Sequence, residues 1–291
     1  MRILFTADIH YGMERMQAGI LRFLQNLGKI GRIDAIVIAG DLAEGITDSV
    51  IETCRNHREA LVLIKQSGVK NIAFCAGSHD IWCSKDGPDS WTILNDILYE
   101  IARELGITYL ERENMYIGDA AIVGTMAHYD YSMAEEGLIF EGTTVRSKHY
   151  RDKTPPGYDA PVWGDALYVH WEYDDPTACK LILANFEKNL VEANQKADSI
   201  LVASHTVPIA DINGHIFKTN LKNRFINAYS GTHHLNEIIL RQNKDGKIKE
   251  AVSGHTHIKM GPIVKDGIRY RNILSIHSDY PGTKHNHYHT T

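Results

Sequence analysis

The sequence predicts an α/β fold on a mostly parallel sheet, and two observations carry that reading. Short apolar runs alternate with longer amphipathic stretches through the first third of the chain, a β-α-β-α-β-α order. Carboxylates and imidazoles then follow the apolar runs directly, at the edge where an open α/β sheet gathers its ligands.

Taken in order, Arg2 to Ala7 reads as a short strand, and Met16 to Gly31 has helical periodicity through Ile20, Leu21, Phe23, Leu24 and Leu27. Ala35 to Ala39 is the next strand. An amphipathic helix from Asp48 to Gln66 follows, with Asp48 as its cap and Gly68 as its stop. Lys70 to Ala76 is a third strand and Ser90 to Leu105 a third helix. After Gly106 come short strands at Ile107 to Leu110, Met115 to Ile117 and Ala120 to Gly124, with Gly118-Asp119 as a hairpin turn. An irregular stretch from Met126 to Asp175 is rich in Tyr, Trp, Pro and charge. The helix Pro176 to Lys196 places Pro176 at its first position. A strand at Ser199 to Ala203, a helix at His233 to Gln242, a strand at Ala251 to Ser253 and closing strands through Ile276 complete the chain.

With 291 residues, no internal repeat and no low-complexity linker, one domain over 1–280 is expected. Residues 126–175 would form a long elaborated loop or cap, and 281–291 a solvated, disordered tail containing His285, His287 and His289. The chain is 43% apolar and 23% charged, a globular composition. No apolar run approaches the roughly 20 residues of a membrane-spanning helix, so no membrane partner is expected. Met1 to His10 lacks the apolar core of a signal peptide. Cys54, Cys75, Cys83 and Cys179 form no CxxC pair and read as reduced thiols, which points to a cytoplasmic location. A net charge of -5 disfavours a bulk electrostatic grip on nucleic acid. The 16 histidines make any single His weak evidence.

Five strand ends together are stronger evidence. The runs ending near Phe5, Ile38, Phe74, Val202 and Val252 lead into Asp8 and His10, into Asp41, into Ser78, His79 and Asp80, into His205, and into His255 and His257. Imidazole and carboxylate suit Zn, Fe, Mn, Co or Ni, with Mn favoured, and no Cys biases the site towards softer ions. A carboxylate has two oxygens and can bridge two cations, a role that suits Asp41. Two such ions, roughly 3.5–4 Å apart, clamp the attacking and leaving oxygens of an in-line displacement on a phosphate ester.

The order D-x-H, G-D, G-x-H-D, a lone H and G-H-x-H, here Asp8-Ile9-His10, Gly40-Asp41, Gly77-Ser78-His79-Asp80, His205 and Gly254-His255-Thr256-His257, resembles the calcineurin-like metallophosphoesterase family. The resemblance runs from residue 3 to about 276. It implies a four-layer α/β/β/α sandwich of two mixed sheets with flanking helices. It also implies a site: Asp8, His10 and His257 on one metal, His205 and His255 on the second, and Asp41 between them. A hydroxide bridging the metals would attack a phosphomonoester or phosphodiester. His79 would protonate the leaving group as general acid, with Asp80 orienting its ring.

Ser78 departs from the Asn that the family carries as a ligand to the second metal. Its shorter side chain leaves three arrangements open, in order of preference a water between hydroxyl and ion, direct ligation, and an empty second site. That departure keeps a second reading in play, a non-catalytic binding or scaffold module on the same fold. The 126–175 stretch likewise has two readings of equal weight. In one, its aromatics stack a flat group such as a nucleotide base and Arg146, Lys148, Arg151 and Lys153 meet phosphate; in the other, a long loop packs itself down. Gly40, Gly77 and Gly254 are read as tight strand-to-loop turns, and Cys83 as packing.

Overall fold

The computed structural model describes residues 1–13, 17–29, 31–45, 50–213, 220–273 and 289–290. The expected β-α alternation opens the chain: β1 (Ile3–Thr6), α1 (Gln17–Asn26), β2 (Ala35–Ala39), α2 (Val50–Lys65) and β3 (Asn71–Cys75). The expected Asp48 cap lies outside the described residues. The helix expected over 90–105 forms as α3 (Ser90–Thr92), a π turn (Ile93–Ile97) and α4 (Leu98–Leu105). Asp89 caps its start by accepting from the Thr92 N–H, and Gly106 ends it in the left-handed conformation. Next come β4 (Thr108–Tyr109), β5 (Met115–Ile117) and β6 (Ala120–Thr125), the last two joined at Gly118-Asp119 with Ile117 opposite Ala120.

The stretch read as irregular is more ordered than its sequence suggests. It holds the hairpin β7 (Ile139–Phe140) and β8 (Thr143–Thr144), and two short helices, α5 (Ser147–Arg151) and α6 (Asp165–Tyr168). Helix α7 (Asp175–Lys196) starts one residue before Pro176, with Asp174 accepting from the Thr177 N–H. The remainder is β9 (Ser199–Ser204), α8 (Leu221–Ile226), α9 (His233–Gln242), β10 (Ile248–Ser253), β11 (Met260–Lys265), β12 (Ile268–Asn272) and β13 (His289–Thr290). The sequence reading missed α8. Its end point at Ile276 and most of its tail, including His285 and His287, lie outside the described residues. Of that expected disordered tail, His289–Thr290 instead pairs antiparallel with β1, opposite Phe5 and Leu4.

Two sheets result, in the orders β13-β1-β2-β3-β4 and β11-β12-β10-β9-β6-β5. Neighbours from β1 to β4 are parallel, as are β12, β10, β9 and β6, while β13, β11 and β5 are antiparallel edges. The mixed sheets follow from side-chain alternation. In β1 to β3, Leu4, Ile36, Ile38, Ile72 and Phe74 face the layer of α1, α2 and α4, whereas Ile3, Phe5, Val37 and Ala73 face inward. In the second sheet, Ile122, Leu201, Ala203 and Val252 meet that inner face, and Val123, Ile200, Val202 and Ala251 pack under α7 and α9. Each central strand is therefore buried on both sides, which is why it reads as an unbroken apolar run. Three apolar interfaces between four layers give the α/β/β/α sandwich. A separate small cluster of Tyr129, Leu138, Phe140 and Tyr150 with Phe225 and Tyr229 anchors the 126–175 segment beside the strand ends.

Candidate metal centre

The carboxyl ends of β1, β2, β3, β9 and β10 converge, and the ladder continues past them. The Asp8 N–H donates to the Gly40 carbonyl (3.0 Å), that of His10 to Asp41 (3.0 Å), that of His205 to Thr125 (3.0 Å) and that of Gly254 to His205 (3.1 Å). These bonds hold Asp8, His10, Asp41, His255 and His257 at φ values of 52°, 48°, 50°, 71° and 54°. Left-handed backbone costs an L-residue about 1 kcal/mol or more, so five such positions at one rim mark a place where geometry outranks local comfort.

Among the described residues three groups of ligand-type atoms form there, each within 4.8 Å of one another: Asp8, His10, Asp41 and His257; Asp41, His205 and His255; and His10, Glu44 and His79. Asp41 belongs to the first two. Its Oδ2 lies 3.7 Å from His10 Nε2 and its Oδ1 3.4 Å from His205 Nε2. His257 Nε2 is 3.3 Å from Asp8 Oδ1 and 3.2 Å from His10 Nε2. Asp8 also accepts from the His255 N–H with both oxygens, at 2.9 and 3.1 Å.

Backbone carbonyls settle the tautomers of the second group. His205 Nδ1–H faces the Ala39 carbonyl at 3.2 Å, and His255 Nε2–H faces the Tyr229 carbonyl at 3.1 Å. That leaves the lone pairs of His205 Nε2 and His255 Nδ1 directed at each other across 3.0 Å. With both nitrogens as acceptors the pair would repel, a conflict that a proton on one ring or a cation between them resolves. Burial pushes the His205 ring towards neutrality, the form that binds metal. Burial, with Asp8 and Asp80 nearby, pushes the Asp41 carboxyl well above its ordinary value. A bound cation would remove that penalty. The residues present therefore fit a pair of divalent ions.

Glycines make room for this packing. Gly40 has φ 82°, and a Cβ there would lie 2.3 Å from His205 Nδ1. Gly77 and Gly254 have no left-handed backbone, although Gly254 does open a tight turn, its carbonyl accepting from the Thr256 N–H (2.8 Å). Their need is space: a Cβ would lie 2.2 Å from Asp41 Oδ1 or 2.7 Å from Asp8 Oδ2.

One expected role moves to another residue. Asp80 is wholly buried and accepts from the Gly77 N–H (2.8 Å), the Ala43 N–H (2.9 Å) and His57 Nε2 (2.9 Å). Although burial opposes it, His57 and those N–H groups hold its carboxyl below the usual range. Asp80 thus braces the loop, and Glu44 meets the acid candidate, with its two oxygens 3.0 and 3.1 Å from His79 Nδ1. A carboxylate three residues after Asp41, in a buried stretch, was the available signal for Glu44. His57, on α2, gave no signal beyond its apolar surroundings. Ser78 is buried at the start of the short turn that carries His79, and its hydroxyl makes no capping bond to that turn.

The family model for calcineurin-like phosphoesterases matches residues 1–259. The chain belongs to the calcineurin-like phosphoesterase family. That family acts on phosphoester bonds and works with two metals. Among solved structures, this phosphoesterase is similar to the phosphopantetheinyl hydrolase of Mycobacterium tuberculosis, with TM-score 0.71, 16% identity, and 99% of this chain and 95% of that one covered. A dimetal phosphatase from Danio rerio gives TM-score 0.56 and 13% identity over 95% of this chain and 88% of that one. A component of the nuclease SbcCD of Bacillus subtilis is 29% identical over 173 residues, 55% of this chain. The match spans 42% of that relative, less than half its length.

The 126–175 segment of the phosphoesterase walls the metal rim with aromatic rings. Trp82, from the loop after β3, lies over His79 with centroids 3.6 Å apart, and Tyr168 backs it at 5.0 Å. Trp163 stacks on Tyr229 at 5.4 Å and stands 5.5 Å from the ring of His255. Tyr129 and Tyr150 are buried, and Lys153 donates to Asp175 (2.6 Å) beside His128 (2.9 Å) and Tyr131. Lys153 is therefore committed to an internal carboxylate and not to a substrate phosphate. Cys83 packs with its sulfur 3.4 Å from Ser90 Oγ.

Proposed function

We propose that the phosphoesterase hydrolyses a phosphomonoester or phosphodiester with one divalent cation held by Asp8, His10 and His257, a second by His205 and His255, and Asp41 shared by both. The observation that supports this best is the convergence of His205 Nε2 and His255 Nδ1, 3.0 Å apart beside the Asp41 carboxylate, with their other ring nitrogens facing the Ala39 and Tyr229 carbonyls. When bound, such ions supply Lewis acidity to the phosphoryl oxygens and lower the pKa of water towards neutrality. Manganese is the ion we propose; Zn, Fe, Co and Ni also suit imidazole and carboxylate ligands.

The chain's own groups do the rest. Glu44 accepts from His79 Nδ1–H, which leaves Nε2 as the nitrogen that delivers a proton to the leaving-group oxygen. Asp80 and His57 fix the loop that carries His79. The Asp41 carboxylate accepts from the His79 N–H at 2.9 Å, so the acid's backbone is tied to the bridging ligand. Substrates of the small-ester kind, a nucleotide among them, suit the -5 charge better than a nucleic acid held along its backbone. The nuclease relative keeps nucleic acid in any assay panel. Among the described residues no helix is long and apolar enough to cross a membrane, and the free thiols suit a reducing compartment such as the cytoplasm.

The test is elemental analysis of protein purified with Mn²⁺, alongside hydrolysis of chromogenic phosphate monoesters and diesters. About two ions per chain and metal-dependent turnover are expected. Turnover unaffected by chelation would overturn the proposal.

A further inference from the structure

Asp165 is a buried carboxylate outside the ligand set, at the start of α6, and its hydrogen bonds are unusual. It accepts from Trp82 Nε1 at 2.7 Å, Tyr129 OH at 2.8 Å and Trp163 Nε1 at 3.1 Å. All three donors are neutral, and among the described residues no ion pair to Asp165 forms, so a buried polar group is held here by neutral partners, an expensive arrangement if filling space were its only purpose. What a carboxylate offers here, and an apolar residue does not, is a pair of acceptor oxygens that grip two indole N–H groups at once. Stacking alone lets a ring slide in its own plane; a hydrogen bond at its edge stops that motion.

The two gripped rings are the two that touch the catalytic rim. Trp82 covers His79, with centroids 3.6 Å apart and planes 30° apart. Trp163 stands against His255 at 5.5 Å and 71°. The other sides of both indoles meet Tyr168 and Tyr229, so they serve as packed walls and not as open platforms for a substrate ring. The approach is close: a Cβ on Gly164 would lie 2.8 Å from the Trp82 ring. The main chain is bolted at the same place, where the Cys83 N–H donates to the Tyr168 carbonyl (2.9 Å) and the Ser90 N–H to that of His170 (2.7 Å).

We infer that Asp165 is a positioning residue for phosphoester cleavage, holding Trp82 on His79 and Trp163 beside His255 through their indole N–H groups. The inference rests on the proposed role of His79 as the proton donor. With Asn at 165, one acceptor oxygen becomes an amide donor that opposes an indole N–H, so at least one ring loses its tether. Where that ring is Trp82, the His79 ring loses its fixed wall, and proton delivery suffers most where the leaving group needs the proton most.

The experiment compares matched phenyl and 4-nitrophenyl phosphoesters at saturating Mn²⁺ for wild type, His79→Ala, Asp165→Asn and Trp82→Phe. For Asp165→Asn, kcat is expected to fall roughly tenfold on the phenyl ester and less than about threefold on the 4-nitrophenyl ester, with KM unchanged. Trp82→Phe keeps an aromatic face but no N–H, and should show the same asymmetry. In metal-free protein, the near-ultraviolet circular dichroism of the indoles should weaken in Asp165→Asn. If His79→Ala loses equally on both esters, the general-acid reading fails. If His79→Ala is leaving-group dependent but Asp165→Asn is not, or if its indole spectrum matches wild type, the positioning role is overturned. Should Asp165→Asn fail to fold, Trp82→Phe decides, and equal loss on both esters overturns the inference.

Discussion

Asp41 at the metal rim and Asp175 under the 126–175 segment are both buried carboxylates, yet their surroundings are opposite. Burial, Asp8 and Asp80 drive the Asp41 carboxyl up against one lowering bond from the His79 N–H, and its other neighbours include carboxylates and the candidate ligand imidazoles. Asp175 is also desolvated, but His128 and Lys153 bond to it and hold it far below its ordinary range. The second cluster is electrostatically complete from within the chain; the first becomes so only with cations. A buried carboxylate crowded by other carboxylates points to a cationic ligand, and one saturated by donors points to architecture.

The largest expected effect tests the incomplete cluster. Asp41→Asn removes the shared charge, and hydrolysis should drop by at least about a thousandfold, since a bound metal is worth several kcal/mol of transition-state stabilisation. Elemental analysis should show fewer than two ions per chain. Full metal content with this loss would separate catalysis from binding and break the contrast drawn above. His79→Ala comes next, with kcat lower by roughly 10²–10⁴-fold on an ester with a poor leaving group and metal content unchanged.

The complete cluster should answer in stability and not in chemistry. Lys153→Met leaves Asp175 short of its cation, and urea denaturation should show a loss of about 3 kcal/mol, with kcat per folded molecule largely preserved. The pH dependence has a definite sign. A carboxyl whose folded pKa lies below its ordinary 3.8 contributes stability that is full above that value and is lost as pH falls through the folded one. Asp175→Asn should therefore flatten the acid limb of stability below about pH 4. An unchanged limb would mean that the pairing adds nothing. The smallest effect belongs to Ser78→Asn, a longer neutral donor at the second ion, for which calorimetry should show roughly tenfold tighter binding of one Mn²⁺. Equal affinities would show that position 78 does not reach the ion.

Much of the rim was legible because its signals are local. An apolar run followed within a few residues by Asp or His needs no knowledge of the rest of the fold, and Asp8, His10, Asp41, His205, His255 and His257 all gather where those runs end. The orienting role read for Asp80 failed because adjacency in sequence is not adjacency in space. Its oxygens turn to Gly77, Ala43 and His57, and Glu44 arrives beside His79 from another strand end. The 126–175 segment was illegible for a related reason. Its decisive contacts join Asp165 to Trp82 across 83 positions and Tyr131 to Asp175 across 44.

By itself, the sequence determined the order of the main strands and helices, those of the 126–175 segment and α8 apart, and the kinds of side chain delivered to one edge, because burial pattern and ligand chemistry are written residue by residue. The tertiary structure alone decided which nitrogen of His205 and His255 faces the centre, which carboxylate meets His79, and that Trp163 of the insertion packs on Tyr229 beside His255. Each of those depends on what lies across a gap: the Ala39 and Tyr229 carbonyls for the two tautomers, and Asp165 for the two indoles. Hydrogen-bond direction is fixed by the partner, and the partner is chosen by folding.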